Sequence, residues 1–413
     1  MFDPKEFTIR IASAKQAEEH AKACFEIPYW RVGMSFEQFL EFGYKESQAS
    51  WAKDNGMLTW VLVRKDDYDG QVYSLLETHR KKGFVKPKNG GQVENGYWYN
   101  ITAVVTPIRH RGNGYATHLL RLLHYVLLSP SSPGNPPSHI PPFPRHEWGT
   151  PPPAVPSDLI EAIPSPCASV LWSDVPTQFY EGCTIGLTGK GYEYRKEWNS
   201  RLVFDLDLSG PDMDENSSNG DGWEMIYQKD LEEITSILTS STKTHLSKLD
   251  TSSKPLWTHD PSTAGSLTFI GTRGSFIIPS PRWKDPSREL PLGVRLRPRD
   301  GEKGGDIIIL IALENFLVEQ RLLLTYIHNL LPARVPSLLK MLESVVKETG
   351  APWTQGEIWG FNPADEWVAA LAKENGRGVK IDTRDGIRSH VLGVCNYLEG
   401  EGEMVDHQMW SWV

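Results

Sequence analysis

A basic turn containing two glycines is the stretch of the sequence best suited to bind an anion. Residues 109–114 read Arg-His-Arg-Gly-Asn-Gly, between an apolar β-branched run at 101–106 and a segment with helical leucine spacing at 115–127. The order strand, turn, helix places the backbone N–H groups of the turn at a helix N-terminus, which carries partial positive charge. Arg109 and Arg111 add two full charges. The turn therefore predicts a site for a phosphate-bearing ligand.

The spacing of these glycines differs from that of two common phosphate-binding motifs. No Gly-Lys-Ser/Thr follows, as a P-loop requires, and Thr117 stands where a dinucleotide-binding fingerprint needs its third glycine. One alternative stays open, namely a basic turn that only joins a core strand to a core helix.

Two motifs together resemble those of the GNAT acetyltransferases. The segment Arg109-x-x-Gly112-x-Gly114 is similar to their acetyl-CoA-binding signature, Gln/Arg-x-x-Gly-x-Gly/Ala. Downstream, a short apolar strand leads through Ser173 into a helix carrying Phe-Tyr, and Tyr180 stands seven residues after Ser173. This arrangement resembles the second GNAT landmark, except that Ser173 replaces the usual asparagine. The departure leaves the pantetheine contact of that position open.

The resemblance implies an enzyme that uses acetyl-CoA as co-substrate and no metal. Tyr180 matches the general acid that protonates the departing thiolate, and the backbone amides near residues 102–104 would polarise the thioester carbonyl. The turn would hold the pyrophosphate. The predicted acetyl-CoA contacts are Thr102, Ala103, Val104, Arg109, His110, Arg111, Gly112, Asn113, Gly114, Tyr115 and Ser173.

The general base and the substrate-binding residues are less defined. Some GNAT enzymes place a glutamate fourteen residues before the first glycine of the turn, but this position is Trp98. Glu77 and His79, two apart on one face of a predicted strand, are the next candidates, and Glu77 is the predicted catalytic residue. The alternative is that both are ordinary polar residues of a strand. Several arginines could bind the carboxylate of an amino acid, and the sequence does not select one.

A narrower resemblance is to the fungal lysine N6-acetyltransferases. It rests on residues 109–124, on Leu-Trp-Ser-Asp-Val at 171–175 and on a proline-rich insertion that contains Trp148-Gly-Thr-Pro-Pro. It implies transfer of an acetyl group to the N6 amine of free L-lysine, the entry step of lysine degradation. Two alternatives stay open: an acetyltransferase for protein lysines or for polyamine or aminoglycoside amines, and a non-catalytic CoA-binding interaction protein.

Composition and charge limit the classes of partner. The chain has 413 residues, 43 basic and 52 acidic, for a net charge of −9, which argues against binding nucleic acid. No apolar run approaches the roughly 20 residues of a membrane span, and the N-terminus lacks the pattern of a targeting segment, so a cytoplasmic location is expected. Four scattered cysteines predict reduced thiols rather than disulfides or a zinc site. A monomer or dimer is expected.

The hydrophobic patterns predict an α+β protein with mixed sheets. We expect a GNAT domain over 1–205, a linker or loop over 206–222, and a second GNAT-like or unrelated α+β lobe without a cofactor site over 223–413. Strands are predicted over residues 7–11, 57–64, 71–85, 97–106, 169–172, 267–270, 274–278, 306–314, 319–328 and 355–361. Helices are predicted over residues 13–24, 35–51, 115–127, 227–248, 335–349 and 363–375.

Two further features concern the surroundings of the site. Residues 129–166 hold nearly half of the prolines and cannot continue a helix or a central strand, so they form either a disordered linker or an ordered excursion over the domain. In the second lobe, Trp353, Trp359, Trp410 and Trp412 could supply apolar surface for the methylene groups of a lysine substrate.

Overall fold

The structure is a computed structural model, and it describes residues 2–209, 222–277, 289–298, 304–315, 317 and 321–412. These residues form two mixed β-sheets with helices packed on them. The predicted fold class, α+β with mixed sheets in two lobes, is confirmed. Most of the linker predicted over 206–222 lies outside the described residues.

The strands and helices are as follows. The strands are β1 Phe7–Ile11, β2 Met57–Arg64, β3 Ser74–Lys86, β4 Glu94–Val105, β5 Ala168–Ser173, β6 Glu193–Tyr194, β7 Ser200–Asp205, β8 Trp223–Ile226, β9 Leu256–His259, β10 Gly293–Leu296, β11 Ile307–Ala312, β12 Leu322–His328, β13 Gln355–Trp359, β14 Lys380–Thr383, β15 Val391–Asn396 and β16 Glu403–Met404. The helices are α1 Ala14–Phe25, α2 Phe36–Gln48, α3 Tyr115–Leu128, α4 Arg145–Trp148, α5 Thr177–Glu181, α6 Leu231–Lys248, α7 Phe269–Ser275, α8 Val335–Thr349 and α9 Glu366–Lys373.

The first sheet has the order β1-β2-β3-β4-β5-β15-β6, and β9 pairs with the far end of β3. Alternating side chains of β2 point to opposite faces of this sheet. Trp60 and Leu62 pack in the cluster that contains α3, whereas Val61 and Val63 pack with α1 and α2. The sheet is therefore buried on both faces, which fixes the register of the strands that reach the site.

The second sheet has the order β14-β7-β13-β12-β11-β10-β8. Helix α8 covers it with an apolar face that includes Leu338, Leu342 and Val346. The predicted bounds of this helix, 335–349, match the observed ones.

The two sheets exchange strands along the chain. Strand β7 lies before residue 206 yet belongs to the second sheet, whereas β9, β15 and β16 come from the C-terminal half and join the first sheet. Strand β15 pairs along the whole of β5, from Val391 opposite Ser173 to Asn396 opposite Ala168. The lobes are therefore interlocked through their sheets, and the division at residues 205 and 223 stays a prediction.

Helix capping explains the starts of the first two helices. Ser13 and Ser35 each accept a hydrogen bond from the backbone N–H three residues on, and Gln16 and Gln38 bond back to the capping residue. These capping boxes satisfy N–H groups that the first turn of a helix leaves unpaired. Both helices were predicted, although α2 ends at Gln48, three residues before the predicted end.

The proline-rich insertion is an ordered excursion. Phe143, Trp148 and Ile163 are buried in the core cluster that contains α3. The Tyr125 hydroxyl lies within hydrogen-bond distance of two backbone carbonyls of the insertion, those of Pro141 and Pro142, at 3.1 and 3.2 Å. Of the two alternatives, the disordered linker is wrong, because the insertion has its own apolar anchors.

One secondary-structure prediction in the second half is wrong. Residues 267–270 and 274–278 were predicted as strands, but a 3-10 turn at Ser266–Thr268 runs into helix α7, Phe269–Ser275. Residue 278 lies outside the described residues. Phe269 and Ile270 are apolar for another reason: they pack against Trp51 and Trp412 between the lobes.

Three general features can be stated for the described part of the chain. None of its helices has the length and apolar character needed to cross a bilayer. No group of three or more His, Cys, Asp or Glu side chains in it is arranged to hold a metal ion. All four cysteines are buried as free thiols.

Candidate active site

A β-bulge in β4 opens the first sheet. In the pairing of β3 with β4, Leu75 lies opposite Val105, but Glu77 lies opposite Thr102, so β4 carries one extra residue. Ala103 has a φ of +49° at this point, a conformation that non-glycine residues rarely adopt. Bulges of this kind redirect a strand and are frequent beside active sites.

Strand β4 separates from β5 at the same level. The two strands pair in parallel only between residues 98–100 and residues 168–170. Beyond Asn100 the pairing ends, although β4 continues to Val105 and β5 to Ser173. The backbone of β4 from residue 101 onward therefore faces an opening on that side instead of a neighbouring strand.

A cavity of about 1080 Å³ lies at this opening, between the lobes. Residues 101–106 of β4 and its C-terminal extension line one wall. The second lobe and the segment after β14 contribute Trp359, Arg384 and Trp412 to the opposite side. This volume is slightly above the range of typical pockets for small ligands, about 300–1,000 Å³.

The structure divides the predicted site residues into two groups. Those that line the cavity are Glu77, Thr102, Ala103, Val104, Arg111 and Tyr180. Those outside its lining are Arg109, His110, Gly112, Asn113, Gly114, Tyr115 and Ser173. Six of the second group belong to the turn that follows β4, at the mouth of the cavity beside Arg111. The roles of both groups, as acetyl-CoA contacts or as catalytic residues, stay predictions.

The turn has the features of an anion site. Gly112 and Gly114 have φ angles of +79° and +84°, and Gly114 precedes α3 without a side-chain cap. A Cβ placed on Gly112 would meet no atom within 4 Å, so the space above the turn is open. Arg109 and Arg111 are both exposed, and Arg111 is oriented by a 3.0 Å hydrogen bond from its Nε to the carbonyl of Thr106.

Two predicted contacts have side chains that are already engaged. The ring of Tyr115 packs edge-on against Phe7, 5.2 Å between centroids, which leaves its backbone N–H as the group at the start of α3. Ser173 is buried, and its hydroxyl donates to the carbonyl of Val175 at 2.7 Å and accepts from the N–H of Val175 at 3.2 Å. The Ser173 hydroxyl therefore stabilises a local turn with Val175 and does not cap a helix. The N-cap residue of α5 is Pro176.

Tyr180 lies on α5 and lines the cavity with 9% of its surface exposed. Its ring packs against Phe179 and Tyr192, at 4.8 and 5.8 Å between centroids. Burial, together with the nearby Cys183 and Asp174, raises the pKa of Tyr180 above its ordinary value. The hydroxyl is therefore protonated at neutral pH and can act as a proton donor.

Glu77 projects from β3 into the cavity wall, where its side chain is 23% exposed. His20 of α1 lies beside it, with 3.3 Å between Nδ1 and Glu77 Oε1. The other nitrogen of His20, Nε2, lies 3.0 Å from the carbonyl oxygen of Ala103. The Cys24 sulfur also lies 3.4 Å from Nε2. Oxygen acceptors at both ring nitrogens fit a doubly protonated ring, so we assign the pair as an imidazolium and a carboxylate.

The pKa shifts agree with this assignment. Burial opposes ionisation of Glu77, but the hydrogen bond and charge of His20 outweigh it and hold the pKa of Glu77 well below its usual range. Burial also disfavours the charged form of His20, but Cys24 and Glu77 outweigh it and raise its pKa. Glu77 is therefore a weak base whose charge is partly neutralised.

His79 stands next to Glu77 on the same face of β3. Its Nε2 lies 4.0 Å from Glu77 Oε2, and its Nδ1 is buried without a hydrogen-bond partner. Burial lowers the pKa of His79, although Glu77 acts in the opposite direction. His79 is therefore neutral near pH 7 and has a nitrogen free to accept a proton.

The cavity carries further charged groups that sequence reasoning missed. Glu46 of α2 is held by Arg273 at 2.6 Å, and Asp174 is held by His390 at 2.9 Å. Arg384, after β14, is 3% exposed and stacks over the ring of Trp359 at 4.1 Å. These residues come from distant parts of the chain, so no local motif could have identified them.

The four tryptophans predicted to supply apolar surface for a substrate fall into two pairs. Trp359 and Trp412 line the cavity and stack at 5.5 Å between ring centroids. Trp353 is buried under α8 in the second core, and Trp410 packs against Tyr326 at 5.2 Å. Only the first pair offers surface to a ligand.

Comparison with known proteins gives structural likeness at low sequence identity. No family model and no curated protein matches the chain. The fold is similar to a GCN5-related N-acetyltransferase from Kribbella flavida, with 10% identity, a TM-score of 0.46, and coverage of 94% of this chain and 70% of that one. A GCN5-related N-acetyltransferase from Anabaena variabilis has 13% identity, a TM-score of 0.44, and coverage of 94% and 72%. A GNAT family acetyltransferase from Brucella melitensis in complex with acetyl-CoA has 16% identity, a TM-score of 0.21, and coverage of 41% and 78%.

Proposed function

We propose that this protein transfers the acetyl group of acetyl-CoA to a small amine, and that the amine is the N6 amine of free L-lysine. One observation carries the proposal. A single cavity contains the open edge of β4, the protonated Tyr180 and the Glu77–His79 pair. Acyl transfer to an amine needs these three parts: a polarised carbonyl, a proton donor for the leaving group and a proton acceptor for the amine.

The residues at the mouth fit acetyl-CoA as co-substrate. The uncapped start of α3, the open space above Gly112 and the charge of Arg111 suit a pyrophosphate. The free edge of β4 offers backbone groups to the amide-bearing arm of the co-substrate, much as a missing strand would. Acetyl-CoA then supplies the acetyl thioester, and the chain supplies orientation and protons.

The reaction forms a bond between the amine nitrogen and the acetyl carbon and breaks the bond between that carbon and sulfur. A free lysine side chain has a pKa of about 10.4, so its ammonium must lose a proton before it attacks. His79, neutral and next to Glu77, accepts that proton. Tyr180 donates its proton to the departing sulfur, and its phenolate recovers one from the attacking nitrogen, which must lose a second proton to become the amide.

The polarity of the cavity supports lysine as acceptor. Glu46 and Glu77 place two carboxylates in the first-lobe wall; each is already paired with a cation, Arg273 and His20, so they offer an ammonium group hydrogen-bond acceptors more than net negative charge. Trp172, Trp359 and Trp412 form an aromatic surface along which methylene groups can pack, with Trp172 and Trp412 at 6.2 Å between ring centroids. The lysine side chain, an apolar chain that ends in an ammonium group, matches this combination.

An amine panel tests the proposal. The full chain is incubated with acetyl-CoA and, separately, L-lysine, L-ornithine, cadaverine, spermidine, kanamycin and a lysine-containing peptide, and release of the CoA thiol is recorded. L-lysine is expected to give the highest kcat/KM, with N6-acetyl-lysine identified by mass spectrometry against the N2 isomer. Turnover of cadaverine, spermidine, kanamycin or the peptide without turnover of lysine would contradict the lysine assignment. Binding of CoA with no turnover of any amine would contradict an enzyme.

A further inference from the structure

Arg384 is a buried cation in the cavity wall that no carboxylate of the described residues neutralises. It lies in the connection between β14 and β15, is 3% exposed, and is one of the residues lining the cavity. Throughout the described ranges of the chain, no Asp or Glu oxygen lies within ion-pair distance of it. Other arginines of the same cavity are paired: Arg201 with Asp382 at 2.7 Å, and Arg273 with Glu46 at 2.6 Å.

The hydrogen bonds of Arg384 fix its guanidinium and leave one edge free. One terminal nitrogen donates to the carbonyls of Ser389 and His390, and the other donates to Asn199 Oδ1 at 3.1 Å. The Nε–H is buried and has no hydrogen-bond partner in the part of the chain that the structure describes. A guanidinium has five N–H groups, so the Nε–H and the second N–H of the Asn199-bound nitrogen remain for a ligand.

An unpaired charge and an unsatisfied N–H in such a place are costly. Burial lowers the pKa of Arg384 to about 9, and Glu357 acts in the opposite direction without forming an ion pair. The Glu357 carboxylate is already bound by Arg321 at 2.7 Å and by the indole N–H of Trp359 at 2.6 Å. A ligand carboxylate would supply both the missing charge and the missing acceptor, because a carboxylate fits the guanidinium edge with two parallel hydrogen bonds.

We infer that Arg384 binds the carboxylate of the acceptor substrate and makes the enzyme specific for amines that carry one. The inference rests on the proposed acetyl transfer for the identity of the acceptor. The cavity then has one part that binds the amine of the acceptor and another that binds its carboxylate. Glu46 and Glu77, each paired with a cation, offer hydrogen-bond acceptors to the amine at the first-lobe wall, and Arg384 holds the carboxylate beside Trp359, which with Trp412 also lines the cavity.

The ratio of the kcat/KM values for two substrates tests the inference. The kcat/KM for L-lysine is compared with that for L-lysinamide, which keeps the amines and the chain but has no carboxylate. We expect the wild-type protein to favour lysine by about 10- to 100-fold, the value of charge-assisted hydrogen bonds, and Arg384→Gln to reduce the ratio to near one. The matched control is Arg201→Gln, since Arg201 already has its carboxylate in Asp382; this variant keeps the wild-type ratio.

The ratio does not depend on how much of a variant folds, because both substrates report on the same active molecules. A wild-type ratio near one overturns the inference, even if Arg384→Gln does not fold. A variant that loses activity on lysine and lysinamide equally also overturns it, because Arg384 then only supports the structure. Arg384→Lys, which keeps the charge without the two-pronged edge, should recover part of the ratio.

A binding experiment separates this inference from the proposed function. L-norleucine has the carboxylate, the α-amine and the carbon chain of lysine but lacks the N6 amine that the proposed reaction acetylates. Its binding is measured by calorimetry in the presence of CoA, against that of L-norleucinamide. Stronger binding of norleucine that disappears in Arg384→Gln supports the carboxylate site even if no amine is acetylated. Equal binding of the acid and the amide overturns the carboxylate site even if lysine is acetylated.

Discussion

The two lobes repeat one arrangement of strands and helices. In the first lobe β4, α3, β5 and α5 come in this order, interrupted by the short α4 of the proline-rich insertion, and in the second lobe β12, α8, β13 and α9 follow one another. The leading strand of each set pairs in parallel with the next over three residues: 98–100 with 168–170, and 322–324 with 356–358. Each leading strand also carries an irregularity in its antiparallel pairing, at Ala103 in β4 and at Thr325 in β12.

The two lobes differ in how much open space lies near these short parallel pairings. In the first lobe it opens into the cavity of about 1080 Å³. In the second lobe the space between β12, β13 and α8 is a void of only about 10 Å³, lined by residues that include Leu324, Ile327 and Leu342. The Gln408 side chain also occupies the free edge of β12, accepting from the N–H of Ile327 at 2.8 Å. The same backbone frame therefore becomes a site only where side chains leave the strand edge open.

The largest effect is expected when one tyrosine hydroxyl is removed in each lobe, which compares the open site of the first lobe with the filled second lobe. Tyr180→Phe should lower kcat by about 10²-fold or more, the usual contribution of a general acid, while the affinity for CoA stays near the wild-type value. Tyr326→Phe is the matched change in the second lobe, because Tyr326 is buried on β12 and lies outside the cavity lining. It should lower the melting temperature at unchanged kcat. An equal kcat for Tyr180→Phe and the wild-type protein would exclude Tyr180 as the acid.

A second test uses the pH dependence of stability. The pKa of Glu77 is lowered in the folded state, so its contribution is present above about pH 4.5 and is lost as the pH falls. The pKa of His20 is raised, so its contribution is present below about 6.5 and is lost as the pH rises through the folded value. Glu77→Gln should therefore lower the free energy of unfolding most between about pH 5 and 6.5, by roughly 1–3 kcal/mol.

The comparison within this test is Glu343→Gln in the second lobe. Glu343 of α8 is paired with Arg377, and a guanidinium stays charged through neutral pH. Its loss should lower the free energy of unfolding by a similar amount at pH 5.5 and pH 8, as measured by urea denaturation. If Glu77→Gln showed the same flat profile, the assignment of His20 as an imidazolium would be wrong.

The local parts of the fold could be predicted from the sequence, and so could two residues that line the cavity. The bounds of β1, β2 and α8 follow from short-range patterns, and Arg111 and Tyr180 come from motifs within one strand–turn–helix unit. The segment 267–275 was misjudged because its apolar residues serve the contact between the lobes, a use that strand-like composition does not reveal.

Long-range parts of the site could not be predicted. His20 meets Glu77 from 57 residues away, and Arg384 meets Asn199 from 185 residues away. Nothing in the neighbouring sequence of Arg384 distinguishes it from the other arginines, because its lack of a carboxylate partner depends on what the rest of the fold brings near it. The pairing of β15 with β5 is of the same kind. Such properties belong to the packed structure and have no local pattern.

The smallest expected effect compares two glycines with the same strain and the same free space. Gly112 in the turn and Gly350 at the end of α8 have φ angles of +79° and +68°, and a Cβ on either would meet no atom within 4 Å. Alanine at each position should cost about 1 kcal/mol of unfolding free energy, because the left-handed conformation disfavours a side chain. The two variants should therefore melt alike.

Only Gly112→Ala should affect the co-substrate. Its new methyl group enters the space where we place the pyrophosphate, and the loss of one charge-assisted hydrogen bond there would raise the KM for acetyl-CoA by about 10-fold. Gly350→Ala should leave that KM at the wild-type value. Because both substitutions carry the same backbone strain, a rise in KM confined to Gly112→Ala would come from the ligand and not from the fold. A KM unchanged by Gly112→Ala would mean that the open space above the turn is not where the pyrophosphate binds.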